Sequence, residues 1–155
     1  MELLEKKIFA FFVKNGWTLS LAESCTGGAL AHKLVTVPEA SRYFQGSVVA
    51  YSNEAKEEIL GVKKETLEQF GAVSQEVALE MAEGALARFH TTFALSVTGI
   101  AGPTGGSQQK PVGTVCFALV SLKKHEVWTQ LFQGNRVEIM NDAVQEGCQK
   151  LYLLS

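Results

Sequence analysis

Hydrophobic and polar positions along the chain follow strand-like and helical patterns in turn. Short apolar or alternating runs predict five strands, at 18–22, Phe44–Tyr51, Phe93–Thr98, Thr114–Val120 and Glu126–Phe132. Apolar stripes and helix-ending residues predict helices at 2–15, 29–35, 52–61, 64–70, 75–89 and from Asn135 onward. Strands joined through helices run parallel, whereas the late hairpin adds antiparallel neighbours. The pattern therefore predicts an α/β fold with a mixed, mostly parallel sheet and helices on both faces.

Capping residues refine three of the helix starts. Asn53 and Ser74 are predicted N-caps, and Asn135 is followed by Glu138 with the spacing of a capping box. The last helix is expected to face the core with an apolar stripe made of Val137, Met140, Val144, Gly147, Leu151 and Leu154.

Length, charge and cysteine content narrow the functional classes. A chain of 155 residues predicts a single domain. The net charge of −2 and the lack of a Lys/Arg cluster argue against a nucleic-acid-binding surface. Three widely spaced cysteines without a CxxC motif favour neither a disulfide framework nor a zinc site, so we expect a reduced, cytoplasmic protein without a bound metal. No apolar run is long enough to span a membrane, and the N-terminus lacks the pattern of a signal peptide.

Small polar residues and glycines stand where the first strand turns into a helix. Ser24, Cys25 and Thr26 offer hydroxyl or thiol nucleophiles, and Gly27 and Gly28 let a ligand approach the backbone closely. The unpaired N–H groups of such a corner, with the helix dipole behind them, can hold an anion or an oxyanion. The alternative is that Ser24 and Thr26 only cap the helix and that the glycines only form a turn.

Two further stretches, Tyr51–Lys56 and the loop from Gly99, also follow predicted strand ends. If the strands are neighbours, these stretches share a pocket with the corner that contains Ser24. Lys56 lies in the first turn of its helix, where the dipole lowers a lysine pKa toward the range of a general base, and Tyr51 precedes it. The alternative is a solvated lysine and an interior tyrosine. The loop from Gly99 can form a phosphate nest or a flexible surface loop, because it holds Gly99, Gly102, Gly105 and Gly106. Lys110 and Arg136 are candidate phosphate partners.

Five sequence blocks in register resemble the CinA C-terminal domain family. They are Ala22–Gly28, Tyr51–Lys56, Gly71–Ser74, Val97–Pro103 and Lys110–Val115. The resemblance extends from about the first helix to the last, and it implies a stand-alone domain with a three-layer α/β/α fold. It also implies nicotinamide mononucleotide deamidase activity, which yields nicotinic acid mononucleotide and ammonia in pyridine nucleotide recycling.

The resemblance further implies roles for individual residues. Ser24 is the expected nucleophile, with Tyr51 and Lys56 as its activating pair, and Cys25 is the rival nucleophile. The expected substrate contacts are Cys25, Thr26, Gly27, Gly28, Asn53, Thr98, Gly99, Gly102, Gly105, Gly106, Lys110 and Arg136. The expected partner is thus a small nucleotide, with no cofactor. The phenylalanines of the first helix also suggest a homo-oligomer.

Two departures from the family pattern motivate a second hypothesis. Met140 replaces the second arginine of a Gly-Asp-Arg-x-x-x-Arg pattern, and Gln109 stands where an acid is common. These changes favour a nucleotide-binding, competence-damage-associated module with weak or no catalysis. A third hypothesis is a phosphate-binding enzyme of another reaction type, for which the chain offers no P-loop or dinucleotide fingerprint.

Overall fold

The computed structural model describes every residue from Met1 to Ser155. Six α-helices occur in the chain: α1 (Leu4–Asn15), α2 (Ala29–Val35), α3 (Asn53–Leu60), α4 (Lys64–Phe70), α5 (Gln75–Phe89) and α6 (Arg136–Tyr152). The chain also contains five strands: β1 (Leu19–Glu23), β2 (Phe44–Val49), β3 (Phe93–Gly99), β4 (Thr114–Val120) and β5 (His125–Leu131). A single short 3₁₀ helix, Ala40–Arg42, precedes β2. None of the helices combines the length and apolar character that a membrane crossing requires.

The five strands form one sheet in the order β2-β1-β3-β4-β5. β1 pairs in parallel with both β2 and β3, whereas β4 is antiparallel to β3 and to β5. Four strands therefore run in the same direction and only β4 opposes them, which confirms the mixed, mostly parallel sheet. This arrangement also brings the carboxyl ends of β1, β2 and β3 to one edge, where ligand sites of open α/β sheets lie.

Helices cover both faces of the sheet and confirm the three-layer fold. On one face, Leu21 of β1 packs in a core with Phe12 of α1 and Leu151 of α6. On the other face, Ala22 of the same strand packs with Met81 of α5, because successive strand residues point to opposite sides. A third apolar cluster, defined here as the site-end cluster, lies near the carboxyl edge and contains Cys25, Val97, Ala101, Val115, Phe117, Ile139 and Ala143.

The helix caps agree with the sequence predictions at two of three positions. The Ser74 side chain accepts a hydrogen bond from the Val77 N–H, and Asn135 and Glu138 form a complete capping box. The prediction for Asn53 is wrong, because Ser52 is the N-cap of α3 and its hydroxyl accepts from the Ala55 N–H. Ser52 has the extended backbone that an N-cap requires, so the helix starts one residue earlier than a cap at Asn53 would give.

The apolar stripe predicted for α6 is wrong at its start. Val137 is 63% exposed, whereas Ile139 and Ala143 are buried. Gly147 sets this orientation, because it has no Cβ and lets the helix approach Leu30 and Leu95 closely. Residues four and eight positions before Gly147 then face the sheet, and Val137 lies roughly 200° around the helix from Ile139.

Candidate active site

Ser24 stands at the end of β1, at the edge of the sheet where β2 and β3 also end. Its backbone N–H donates to the carbonyl of Val97 on β3 at 2.9 Å, which continues the ladder by one residue. The residue is only 7% exposed. The strand pairing therefore fixes the backbone of Ser24, and its hydroxyl is the part left to interact with the neighbouring corner.

Lys56 is a buried lysine whose amine meets that hydroxyl. It lies in the first turns of α3, is 1% exposed, and its Nζ is 3.0 Å from Ser24 Oγ. The same Nζ donates to the backbone carbonyls of Ala50 and Tyr51, each at 3.1 Å. Burial lowers the pKa of Lys56 below its usual 10.5, because desolvation disfavours the charged amine.

These three contacts fit an ammonium, which donates to all three oxygens, and they also fit a neutral amine that acts as a base. A neutral lysine has two N–H groups and one lone pair. The carbonyls of Ala50 and Tyr51 accept the two N–H groups, so the lone pair is left for the proton of the Ser24 hydroxyl. The solvated lysine considered from the sequence is thus wrong.

Tyr51 and Arg136 meet on the outer side of the cavity. The tyrosine is 59% exposed, and its hydroxyl accepts a hydrogen bond from Arg136 Nη2 at 2.8 Å. Arg136 Nη1 donates to the carbonyl of Gly102 at 2.6 Å, so the first residue of α6 links the corner between β2 and α3, which holds Tyr51, to the glycine-rich loop. Tyr51 touches Lys56 through its backbone carbonyl, and its phenol hydroxyl bonds to Arg136 instead.

Cys25 lies beside Ser24 but is chemically unlike a catalytic thiol. Burial raises its pKa to about 12, and the nearby Glu23 charge also raises it. The thiolate is the nucleophilic form of cysteine, so at neutral pH this side chain stays protonated and weakly reactive. Ser24, with an amine at 3.0 Å, is the better nucleophile of the two.

The backbone N–H groups of the first corner divide into bonded and free groups. The amides of Gly27 and Ala29 donate to backbone carbonyls, and those of Leu30 and Ala31 donate to the Glu23 carboxylate. The amides of Thr26 and Gly28 have no backbone partner within the chain, and the Cys25 N–H contacts only its own thiol. They are the donors that the corner leaves for a ligand.

A cavity of about 300 Å³ joins the three strand-end stretches. Most of the expected site residues line it: Ser24, Cys25, Tyr51, Asn53, Lys56, Thr98, Gly99, Gly102, Gly105 and Arg136. Arg136 gives the lining a positive charge, Lys56 adds an amine, and no carboxylate lines the cavity. The side chains of the chain form no cluster of three or more His, Cys, Asp or Glu that could hold a metal ion.

Five expected substrate contacts lie outside this lining: Thr26, Gly27, Gly28, Gly106 and Lys110. The Thr26 hydroxyl donates to Glu23 at 2.7 Å, and the Lys110 amine donates to the carbonyl of Phe70. Gly28 is the N-cap of α2 and has a φ of 98°, which glycine adopts without strain. These residues shape the corner and the loop, and the structure does not bring their side chains into the cavity.

Sequence reasoning missed part of the lining. Ala72 and Val73 form one wall, and the Thr98 hydroxyl fixes that turn by donating to the Ala72 carbonyl at 2.9 Å. Ile100, Ala101 and Thr104 add to it. The block Gly71–Ser74 was already part of the family pattern, which is the signal that could have identified this wall.

The fold and the site define a three-layer α/β protein that carries a buried serine–lysine pair at the carboxyl edge of its sheet. The family model for the CinA C-terminal domain matches residues 1–154. The chain belongs to the CinA C-terminal domain family.

Curated relatives and solved structures agree with this assignment. The CinA-like protein of Fervidobacterium nodosum is 54% identical over 129 residues, which cover 83% of this chain and 32% of that protein. A putative competence-damage inducible protein of Caldanaerobacter subterraneus subsp. tengcongensis is 50% identical over 138 residues, which cover 89% of this chain and 34% of that protein. The chain thus spans about a third of the length of these curated relatives.

Among solved structures, the competence/damage inducible protein CihA of Agrobacterium tumefaciens superposes with a TM-score of 0.92 at 40% identity, covering 99% of both chains. The competence damage-inducible protein A of Klebsiella pneumoniae has a TM-score of 0.94 at 35% identity, covering 97% of this chain and 93% of that one.

Proposed function

We propose that the chain is an amidohydrolase that converts nicotinamide mononucleotide to nicotinic acid mononucleotide and ammonia. The observation that carries this proposal is the buried Lys56 amine, 3.0 Å from the Ser24 hydroxyl in a cavity with no carboxylate. A carboxamide is unreactive, so its hydrolysis needs an activated nucleophile, which this pair supplies. The substrate identity comes from the family resemblance.

The reaction then runs through an ester on Ser24. Neutral Lys56 takes the hydroxyl proton as Ser24 Oγ bonds to the carboxamide carbon, and the carbonyl oxygen becomes an oxyanion. The C–N bond breaks, and the Lys56 ammonium returns the proton to the departing ammonia. Water then attacks the ester while Lys56 takes its proton, and the acid product leaves as Ser24 Oγ regains a proton.

Fixed donors and positive charge favour this chemistry. The amides of Cys25, Thr26 and Gly28 follow Ser24 in the chain and are the donors we propose for the oxyanion; one such donor typically contributes roughly 10²–10³ in rate. Arg136 is the candidate partner for the substrate phosphate, because its guanidinium faces the cavity and has donors beyond the two already used.

The binding-module hypothesis has weaker support. It rests on Met140 and Gln109, and neither residue lines the cavity. Met140 is half-buried against the site-end cluster, and Gln109 is exposed on the loop. These departures therefore leave the Ser24–Lys56 pair untouched. Self-association stays a prediction, which light scattering of the purified chain tests.

Ammonia release from nicotinamide mononucleotide by the purified chain is the direct test. We expect turnover by the wild type and a loss of about a thousandfold or more in Ser24→Ala, whereas Ser41→Ala, which removes an exposed hydroxyl, behaves as wild type. Calorimetry of the same proteins separates the hypotheses. Binding of the nucleotide without ammonia release would favour the binding module, and neither binding nor release would refute both.

A further inference from the structure

Glu23 is a fully buried carboxylate that no lysine or arginine contacts. It is the last residue of β1 and directly precedes Ser24. Burial of a carboxylate without a cation is unfavourable unless hydrogen bonds replace its water, so the groups that surround Glu23 must supply donors. Glu23 lies between the corner that follows β1, which carries Ser24, and the corner that follows β2, which carries Lys56.

Four donors satisfy the Glu23 carboxylate. Oε1 accepts from the Thr26 hydroxyl at 2.7 Å and from the Leu30 N–H at 2.9 Å. Oε2 accepts from the Ala31 N–H at 3.2 Å and from the Ser47 hydroxyl at 2.8 Å. The side chain thus ties the first turn of α2 and the edge strand β2 to the residue that precedes Ser24.

The backbone of Glu23 makes a second connection, toward Lys56. Its carbonyl accepts from the Ala50 N–H at 2.9 Å, and the carbonyl of Ala50 accepts from Lys56 Nζ at 3.1 Å. One residue therefore contacts both sides of the pair. Its peptide leads into Ser24, and its carbonyl holds the segment that positions the Lys56 amine.

We propose that Glu23 is the positioning residue that sets the distance and alignment between Ser24 and Lys56. It touches neither the cavity nor the reacting atoms, since it is fully buried and does not line the cavity. Its carboxylate occupies the amides of Leu30 and Ala31, so these groups are not donors for substrate. The functional reading of this inference rests on the proposed amidohydrolase activity.

Glu23→Gln is the sharpest variant because it keeps the shape and replaces one acceptor oxygen with a donor. At least one of the two α2 amides then faces an N–H group or loses its partner. Small displacements at a reacting centre can cost about a hundredfold in rate. We expect kcat to fall at least about tenfold while KM changes less than about threefold, because no residue that lines the cavity is substituted.

Ser20→Ala is the matched control. Ser20 lies on the same strand, is fully buried, and shares a hydrogen bond of 2.8 Å with Thr91 away from the site. Its removal destabilises β1 without touching the corner, so we expect kcat within about twofold of wild type. Equal losses of kcat in Glu23→Gln and Ser20→Ala would mean that Glu23 only supports folding, and this would overturn the inference.

Crystal structures of the two variants give a readout that needs no activity. We expect the Ser24 Oγ to Lys56 Nζ separation to exceed hydrogen-bonding distance in Glu23→Gln and to stay near 3.0 Å in Ser20→Ala. An unchanged separation in Glu23→Gln refutes the positioning role. If the wild type releases no ammonia, the proposed function fails while this comparison still decides the role of Glu23. If Glu23→Gln does not fold, Ser47→Ala, which removes one donor, replaces it under the same criteria.

Discussion

Lys56→Met tests the base assignment most directly. Methionine has a similar length and volume but no amine, so the variant removes the base and keeps the buried site filled. A general base contributes typically 10²–10⁴ to a rate, which corresponds to roughly 2.7–5.5 kcal/mol of transition-state stabilisation. The free energy of unfolding should fall by less than this. The carbonyls of Ala50 and Tyr51 lose their donor, but the cost of burying an amine is removed as well.

The pH dependence of kcat/KM in the wild type also tests whether Lys56 acts as a base. Lys56 acts as a base only when neutral, so kcat/KM should rise with pH until the lysine has lost its proton. Burial lowers the pKa of Lys56 below 10.5, so this rise should end at a lower pH than a solvated lysine would give. In Lys56→Met the same limb of the profile should be absent.

The assay is ammonia release measured across pH for the wild type, Lys56→Met and the control Lys64→Met, whose amine is exposed on α4. We expect the control to retain the wild-type profile. A Lys56→Met enzyme with kcat/KM within a factor of about ten of wild type would refute the reasoning, because Lys56 is the only lysine that lines the cavity. Thermal melting of all three proteins confirms that they are folded.

Three further predictions address the substrate, the thiol and the packing. Arg136→Gln should raise KM by roughly tenfold to a hundredfold with a smaller change in kcat, since a charge-assisted bond is worth about 1.5–3 kcal/mol; an unchanged KM would contradict phosphate binding there. Cys25→Ala should keep kcat within about tenfold, because burial raises the pKa of the thiol to about 12; inactivity of a folded variant would make Cys25 the nucleophile. Gly84→Ala should lower the free energy of unfolding by about 1–3 kcal/mol in urea titrations, because its Cβ would overlap the Leu60 carbonyl oxygen. Wild-type stability would show that α3 and α5 separate easily.

Local pattern predicted most elements of the fold for a clear physical reason. The runs that became β3 and β4 are apolar on both faces, and they are fully buried as central strands should be. Capping at Ser74 and Asn135 depends on residues within one helical turn, so short-range sequence suffices there. The prediction at Asn53 failed because the neighbouring Ser52, which is also a good N-cap residue, caps the helix. The prediction at Val137 failed because Gly147, ten residues further on, sets the orientation of α6.

The site was predictable as a set of strand ends but not as a set of contacts. Parallel strands place their carboxyl ends on one edge, so Ser24, Lys56 and Gly99 could be expected to share a cavity. Which donor meets which acceptor depends on register and side-chain direction. Thr26 therefore turned inward to Glu23, and Lys110 turned to Phe70, although both had been expected to contact substrate.

The sequence by itself determined the elements, their order and the residue types at each corner, because these depend on interactions within a few residues. Only the tertiary structure decided that an amine and a hydroxyl 32 positions apart lie 3.0 Å from each other. It also decided that the amine is buried, that burial raises the pKa of the neighbouring thiol, and that Glu23 accepts from the amides of Leu30 and Ala31 in α2. Burial and long-range hydrogen bonding arise from strand pairing across the whole chain, and no local pattern encodes them.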